Sequence, residues 1–268
     1  MLVCALGDVL LDVVVRLDEP IAPDTDAYGE TRVGAGGQAA NVAAWAAALG
    51  GRGRVVARLA ADGAGRLARD ELRGLAVELV GPEADGRTGT VVSVATPDGA
   101  RTMLSDRGAS GSFGLGELRP EWVAGCDVLH VSGYALADAP FAETAAAAAR
   151  LAPRVSVDLA SAAAIRRTGP VAFGERLAEL APEIVFASEQ EEHELGGVDA
   201  PVVVVKHGAR GCEVRRDGAA REQHAALPTT VVDTTGAGDA FAAGFLLGGV
   251  GLALSAAARC VARAGALP

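Results

Sequence analysis

Short apolar runs rich in Val and Leu alternate along the chain with Ala-rich stretches whose apolar positions recur at helical spacing. The runs Leu2–Leu6, Val55–Arg58, Val128–Ser132, Val155–Asp158, Ile184–Ala187 and Val202–Lys206 predict strands covered on both faces, since a strand with one wet face alternates polar and apolar residues. Between them, Gln38–Leu49, Gly65–Arg73, Phe141–Leu151, Glu189–Leu195 and Ala240–Leu247 predict helices. Strand and helix in turn make βαβ units, so the expected class is α/β, a mostly parallel sheet sandwiched between helices.

Two segments break that rhythm. Residues 12–33, and residues 88–105 around a Pro97-Asp98-Gly99 turn, alternate polar and apolar at period two and predict antiparallel strands. Parallel βα units do not need them, so they predict a small accessory sheet lying over a ligand cleft as a lid, or else an extra edge hairpin. No repeat, linker or charge run marks a boundary, and residues 1–268 are expected to form one domain with a lid from about 12–33 and 88–108.

Composition narrows the function. Hydrophobic residues make up 50% of the 268, which suits a packed core and excludes disorder as the main state. Thirty-four acidic against 24 basic residues give a net charge of -10, the opposite of a nucleic-acid footprint. Cys4, Cys126, Cys212 and Cys260 are dispersed without a CxxC pair, which reads as buried thiols in a reducing cytoplasm. The first apolar run contains Asp8 and Asp12, unlike a signal peptide. Ala240–Ala258 carries no charge and approaches the length of a membrane span, yet Gly248, Gly249 and Gly251 interrupt it, so two packed helices with a glycine joint are expected. The chain holds a single lysine, Lys206, and a single asparagine, Asn41, in a sequence that otherwise uses neither.

The strongest chemical signal is Asp233-Thr234-Thr235-Gly236-Ala237-Gly238-Asp239, a small-residue loop running straight into the helix at Ala240. The backbone N–H groups of Gly236, Ala237 and Gly238 then converge at a helix N-terminus, where free donors and the helix dipole favour an anion such as phosphate. Asp239 is either a plain capping carboxylate or, beside a bound phosphate, a general base for an attacking hydroxyl. A second glycine-rich element, Gly34-Ala35-Gly36-Gly37-Gln38-Ala39-Ala40-Asn41, also opens a helix; its spacing matches a dinucleotide fingerprint, but a polar segment precedes it where that fingerprint needs a buried strand. Asn41 suits a donor and acceptor for sugar hydroxyls better than a helix interior. Asp12, after the first strand, reads as a polyol ligand or a solvated loop acid. Lys206-His207-Gly208-Ala209-Arg210-Gly211 follows a strong β run and reads as a tight turn near a nucleotide or as a plain hairpin. Ser188-Glu189-Gln190-Glu191 forms a capping box, and His130, His193 and His224 read as structural.

Taken together and in this order, these elements resemble the ribokinase-like (pfkB) carbohydrate kinase family. Asp233 to Leu246 is similar to its C-terminal signature, and Gly36-Gly37-x-Ala39-x-Asn41-x-Ala43 to its N-terminal one. Between them, Thr88-Gly89-Thr90 through Arg101-Thr102, His130-Val131-Ser132-Gly133, Val157-Asp158 and Lys206-x-Gly208-x-x-Gly211 fall where the family has its lid, core strands and nucleotide-side turn. The resemblance implies a three-layer α/β/α sandwich with a β lid, and a cytoplasmic ATP-dependent kinase acting with Mg²⁺, and in some members K⁺, on the hydroxymethyl group of a small sugar or sugar derivative. Asp239 would be the base, and Gly236, Ala237 and Gly238 the anion hole. Asp12, Gly37, Asn41 and Arg101 would face the sugar. Ser188, Lys206, Gly208, Gly211 and Thr235 would face the nucleotide. Glu191 would act on magnesium through water, Asp233 would lie at the monovalent-cation position, and the lid would pair across a homodimer. Ser188 stands where the family motif has Asn, Leu10 where ribose-specific members carry a polar ligand, and Ser110 where Asn often follows Gly-Ala. The sequence stops at Pro268, soon after the last helix, which puts cation activation and tight nucleotide binding in question. A nucleoside kinase on the same fold and a sugar- or nucleotide-binding protein without catalysis are the rival readings.

Overall fold

The computed structural model describes every residue except Gly99, Ala100 and Gly218, and Arg101 only in its backbone. The expected sugar contact of Arg101 and the glycine of the Pro97-Asp98-Gly99 turn therefore lie outside the described residues. The first half of the chain runs β1 (Leu2–Leu6), β2 (Leu10–Leu17), β3 (Gly29–Gly36), α1 (Gln38–Ala48), β4 (Arg52–Val56), β5 (Leu59–Ala60), α2 (Gly63–Gly74), β6 (Val77–Val80), β7 (Glu83–Ala84), β8 (Thr88–Ala95) and β9 (Arg101–Gly108). The second half runs β10 (Val128–Ser132), α3 (Ala139–Ala149), β11 (Val155–Asp158), α4 (Ala162–Thr168), α5 (Pro170–Glu179), β12 (Ile184–Ser188), α6 (Glu189–Leu195), β13 (Val202–Lys206), β14 (Cys212–Arg216), β15 (Glu222–His224) and α7 (Ala237–Val261).

A nine-stranded sheet in the order β15-β14-β13-β12-β11-β10-β1-β4-β6 forms the centre. Its strands pair in parallel from β6 through β13, and β14 and β15 add an antiparallel edge. The order reverses between β1 and β10, and open α/β sheets place ligands beyond the carboxyl ends of their strands at such a switch. Two apolar layers cover the sheet, one built on Trp45, Phe186, Phe241 and Phe245, the other on Phe113, Phe141 and Phe173. Phe186 sits edge-on to Phe245 at 5.4 Å, while Phe241 and Phe245 stack at 6.3 Å. All four cysteines are free and buried, and burial pushes the thiols of Cys4 and Cys260 up to about 12.

The alternating segments form a separate four-stranded sheet, β3-β2-β8-β9, with antiparallel hairpins β2–β3 and β8–β9 joined by a parallel β2–β8 pair. Its far end is wet: Tyr28 is 73% exposed. The charge-free stretch near the C-terminus is broken as its glycines predict, with Gly248 and Gly249 leaving helical geometry. A Cβ on Gly244 would meet the backbone of Ala253 at 2.7 Å, so the two halves of α7 fold back into contact only because residue 244 has no side chain. By length and composition α7 passes as a membrane span, but half of its apolar window is buried inside this fold.

Phe186→Ala removes a ring buried against two others. It is expected to destabilise the chain by about 3–5 kcal/mol in urea unfolding monitored by circular dichroism; a loss below about 1 kcal/mol would mean that the aromatic cluster does not organise this layer.

Candidate active site

Two glycine-rich turns meet beyond the switch point. The first ends β3. Gly37 takes φ +99 to start α1, and the Asn41 N–H donates to the Gly37 carbonyl at 2.9 Å, which places Asn41 one turn into the helix. A Cβ on Gly36 would lie 2.1 Å from Asp12 Cγ, so the Asp12 carboxyl occupies the space that a side chain would fill. The second turn starts α7. Gly236 takes φ +76 as the cap, which leaves the amides of the first turn pointing out of the helix end without intrahelical acceptors. The last stretch of the chain braces this turn from behind: a Cβ on Gly236 would strike Ala266, and Trp45 Nε1 donates to the Ala266 carbonyl at 2.8 Å.

One hydrogen bond joins the two turns. Asn41 Nδ2 donates to Asp239 Oδ2 at 2.7 Å across 198 positions of sequence. Crowding by protein pushes the Asp239 carboxyl up to about 7; the Asn41 bond opposes the rise, Asp158 adds to it, Lys206 opposes it, and Asp12 adds to it. Asp12 is pushed up to about 6, by burial first and then by Glu71, whose carboxylate accepts from the Ala35 N–H at 2.6 Å. Two acids with raised carboxyls thus stand beside the amide turn.

On the far side of that turn lies a cavity of about 690 Å³. Ser188, Lys206, Gly208, Gly211, Ala237 and Gly238 all line it, with Phe241, Leu227 and Leu254 supplying apolar wall. Its lining joins these apolar side chains to the Lys206 ammonium and the first residues of α7. Lys206 Nζ donates to Asp158 Oδ2 at 2.5 Å. The Ser188 hydroxyl caps α6 by accepting from the Glu191 N–H, and the Glu191 carboxylate accepts from the Ser188 N–H at 2.7 Å. Burial raises Glu191 and Lys206 opposes the rise. Thr235 turns away from the cavity: its hydroxyl donates to Asp233, and Thr234 takes the wall position expected of Thr235. Asp233 also accepts from the N–H groups of Thr235 and Gly265, at 2.9 Å and 3.0 Å. His130 is buried, bonds Ser156 Oγ at 2.9 Å, and is pushed down to about 4, which fits its structural reading.

A family model described as pfkB family carbohydrate kinase matches residues 1–267. The chain belongs to the pfkB carbohydrate kinase family. The ATP-dependent ribose-1-phosphate kinase of Halopiger xanaduensis is 33% identical over 91% of this chain and 83% of its own. The 5-dehydro-2-deoxygluconokinase of Listeria monocytogenes is 26% identical over 80% and 73%. Among solved structures, the adenosine kinase of Sinorhizobium meliloti superposes with a TM-score of 0.85 at 26% identity, covering 99% of this chain and 95% of that one. The chain is therefore a carbohydrate kinase with the ribokinase fold, and the dinucleotide reading of Gly34-x-Gly36-x-x-Ala39 is set aside.

Of the site's neighbours, Glu71 has no motif in the sequence, Asp158 is read there only within the core-strand pair Val157-Asp158, and Arg107 falls within the lid segment of residues 88–108. Arg107, on β9, is ion-paired with Asp8 and lies 3.5 Å over the Tyr134 ring, tying the second sheet to the ends of β1 and β10. Ser110 donates to the carbonyl of Val9 at 3.1 Å, a structural bond.

Asp239 titrates far above an ordinary carboxylate, so between that ordinary range and about pH 7 the folded chain holds a proton that the unfolded chain releases. Stability from this group is therefore greatest in acid and falls as pH rises through that window. Asp239→Asn should raise Tm by roughly 5 °C at pH 8 and change it little at pH 4, measured by thermal unfolding in matched buffers; equal shifts at both pH values would contradict the raised carboxyl.

Proposed function

We propose that the protein transfers the terminal phosphoryl group of ATP to a hydroxymethyl group of a small sugar or sugar derivative. The juxtaposition that carries this reading is Asp239, held by Asn41, at the mouth of the amide turn Gly236–Gly238. Asp239 takes the proton of the acceptor hydroxyl as the O–P bond forms and the bond to the leaving ADP breaks. The Gly236, Ala237 and Gly238 amides meet the charge on the phosphoryl oxygens. Asp12, Gly37 and Asn41 face the sugar, and Arg101 on the lid is assigned to it as well. The nucleotide lies in the cavity walled by Ser188, Lys206, Gly208 and Gly211.

Mg²⁺ fits this arrangement as an ion carried mainly by phosphate and water. Among the described residues no cluster of three metal-ligating side chains exists, while the buried Glu191 carboxylate stands beside the cavity with Ser188 fixing it. When bound, the ion would neutralise charge on the phosphate oxygens. Asp233 is assigned to the monovalent-cation position; its Oδ1 accepts from the Thr235 N–H and its Oδ2 from the Gly265 N–H, which fix the carboxylate in place.

The curated relatives named above act, by their names, on ribose 1-phosphate and 5-dehydro-2-deoxygluconate, and both compounds belong in the first substrate panel. Adenosine belongs there as the contrast. A nucleoside kinase would use lid aromatics to stack a base, yet Tyr28 sits at the exposed tip of β2–β3.

ADP release from ATP and Mg²⁺ across that panel, with ribose and fructose added and with and without K⁺, tests the reading. Asp239→Asn should lower kcat on the order of 10²–10⁴-fold with the fold retained. Near-normal turnover in this variant would remove Asp239 from the base role. The raised carboxyl adds a pH signature: kcat/KM should fall on the acid side with a midpoint near pH 7. In Asn41→Ala that midpoint should move upward, since the amide that favours the charged form is gone. An unmoved midpoint would mean that Asp239 is not the group titrating.

A further inference from the structure

Resting on the phosphotransferase reading above, we infer that Lys206 is a catalytic residue that changes partner, its ammonium resting on Asp158 between turnovers and moving onto the phosphate oxygens beside Gly238 during transfer. The geometry places it there. Lys206 Nζ lies 3.2 Å from where a Cβ on Gly238 would be, so the ammonium sits against the first turn of α7. The side chain lines the cavity and keeps 18% of its surface open.

The surrounding charge says why a cation is needed. Asp158, Glu191 and Asp239 all act on Lys206 electrostatically, so one ammonium faces three carboxylates. The amides of the anion turn are neutral, and a triphosphate approaching these acids is repelled unless a mobile positive charge meets it. Lysine suits the task, as a compact charge on a flexible stem.

Asp158 is built to lose its partner. Ala160, just past β11, takes φ +67, a backbone conformation uncommon for alanine, and its N–H donates to Asp158 Oδ1 at 3.1 Å. When the ammonium leaves, the Asp158 carboxylate keeps a hydrogen bond to the backbone.

Because Lys206 is the only lysine, a labelling experiment on the wild-type chain tests the inference directly. The probe is a mixed anhydride of a carboxylic acid with the terminal phosphate of ATP. The Lys206 amine attacks the acyl carbon, an amide N–C bond forms, the C–O bond to phosphate breaks, ATP leaves and the amine proton goes to solvent. Mass spectrometry should find the acyl group on Lys206, at least tenfold above the Met1 amine, and ATP should block it while adenosine does not. Label confined to Met1, in a protein that binds ATP by calorimetry, overturns the inference and leaves the kinase reading standing. No ATP binding by the wild-type chain removes both.

Kinetics separate catalysis from structure. Lys206→Met should lower kcat on the order of 10²-fold, whereas Asp158→Asn, which breaks the same ion pair but keeps the ammonium, should cost less than about tenfold. ATP affinity should fall about tenfold in Lys206→Met with AMP affinity unchanged. Equal losses of kcat in the two variants, with ATP affinity intact, would reduce Lys206 to a structural partner of Asp158. The labelling result stands apart from whether either variant folds.

Discussion

The 2.7 Å hydrogen bond from Asn41 to Asp239 is the constraint on which the site depends, because it fixes two helix starts that the chain writes at opposite ends of the sequence. It forms only if α1 and α7 come close, and close approach needs small residues. Helix α1 supplies them, with alanine at most of its buried positions. The neighbouring strand does the same: a Cβ on Gly53 would strike the Ala43 backbone at 2.0 Å. The one large side chain on α1, Trp45, ties down Ala266, which backs the turn at Gly236. An alanine-rich composition that looks featureless thus performs a geometric task, bringing the Asp239 carboxyl and the amide turn Gly236–Gly238 up against Asn41.

That closeness has an electrostatic cost. Asp158, Glu191 and Asp239 gather around one lysine, with Asp12 acting on Asp239 from beyond, and burial raises Asp12, Glu191 and Asp239. A core built for stability alone would not collect them. On the proposed reading the raised carboxyl of Asp239 would serve the chemistry, because a base poised near neutrality accepts a hydroxyl proton more readily than an ordinary aspartate.

Much of this was legible in the sequence because it depends on backbone. Glycine turns that open helices declare themselves by composition, and Leu2–Leu6, Val128–Ser132, Val155–Asp158 and Val202–Lys206 have the strand bounds their apolar runs predict. The expected strand Val55–Arg58 lies instead at Arg52–Val56, since Arg54 sits in the strand and sends its guanidinium to Glu78 and to the Trp122 carbonyl, so its polarity hides the true start. Helices α4 and α5 escaped notice because Gly169 and Pro170 between them read as a plain loop, whereas here glycine ends one helix and proline begins the next. Glu71 was missed for a different reason. A lone acid on a helix face carries no spacing; only the fold shows that Glu71 stands beside Asp12, and that Asp158, legible in the sequence only as part of a core strand, holds Lys206. The turn at Ser188 was read as a capping box and forms one, and the same bond holds the Glu191 carboxylate next to Ser188, a wall residue of the cavity.

The second sheet joins the rest of the fold mainly at its base, with one tie further out where Arg16 donates to the Val232 carbonyl at 3.3 Å. At one point Asp12 presses on Gly36, where β2 and β3 leave the core. At another Arg107 pairs with Asp8 and stacks on Tyr134, which anchors β9 to the strand ends beneath it. A third tie runs from Asp62, the cap of α2, to the Thr88 hydroxyl at 2.6 Å. All three lie at the base of the sheet, and the outer reach around Tyr28 and Met103 is exposed. On the proposed reading, bending such a sheet would move its tips while its base kept Asp12 beside the substrate. Water would then be excluded from the phosphoryl group without disturbing the residues that hold the acceptor, which is what a kinase needs if it is to favour a sugar hydroxyl over solvent.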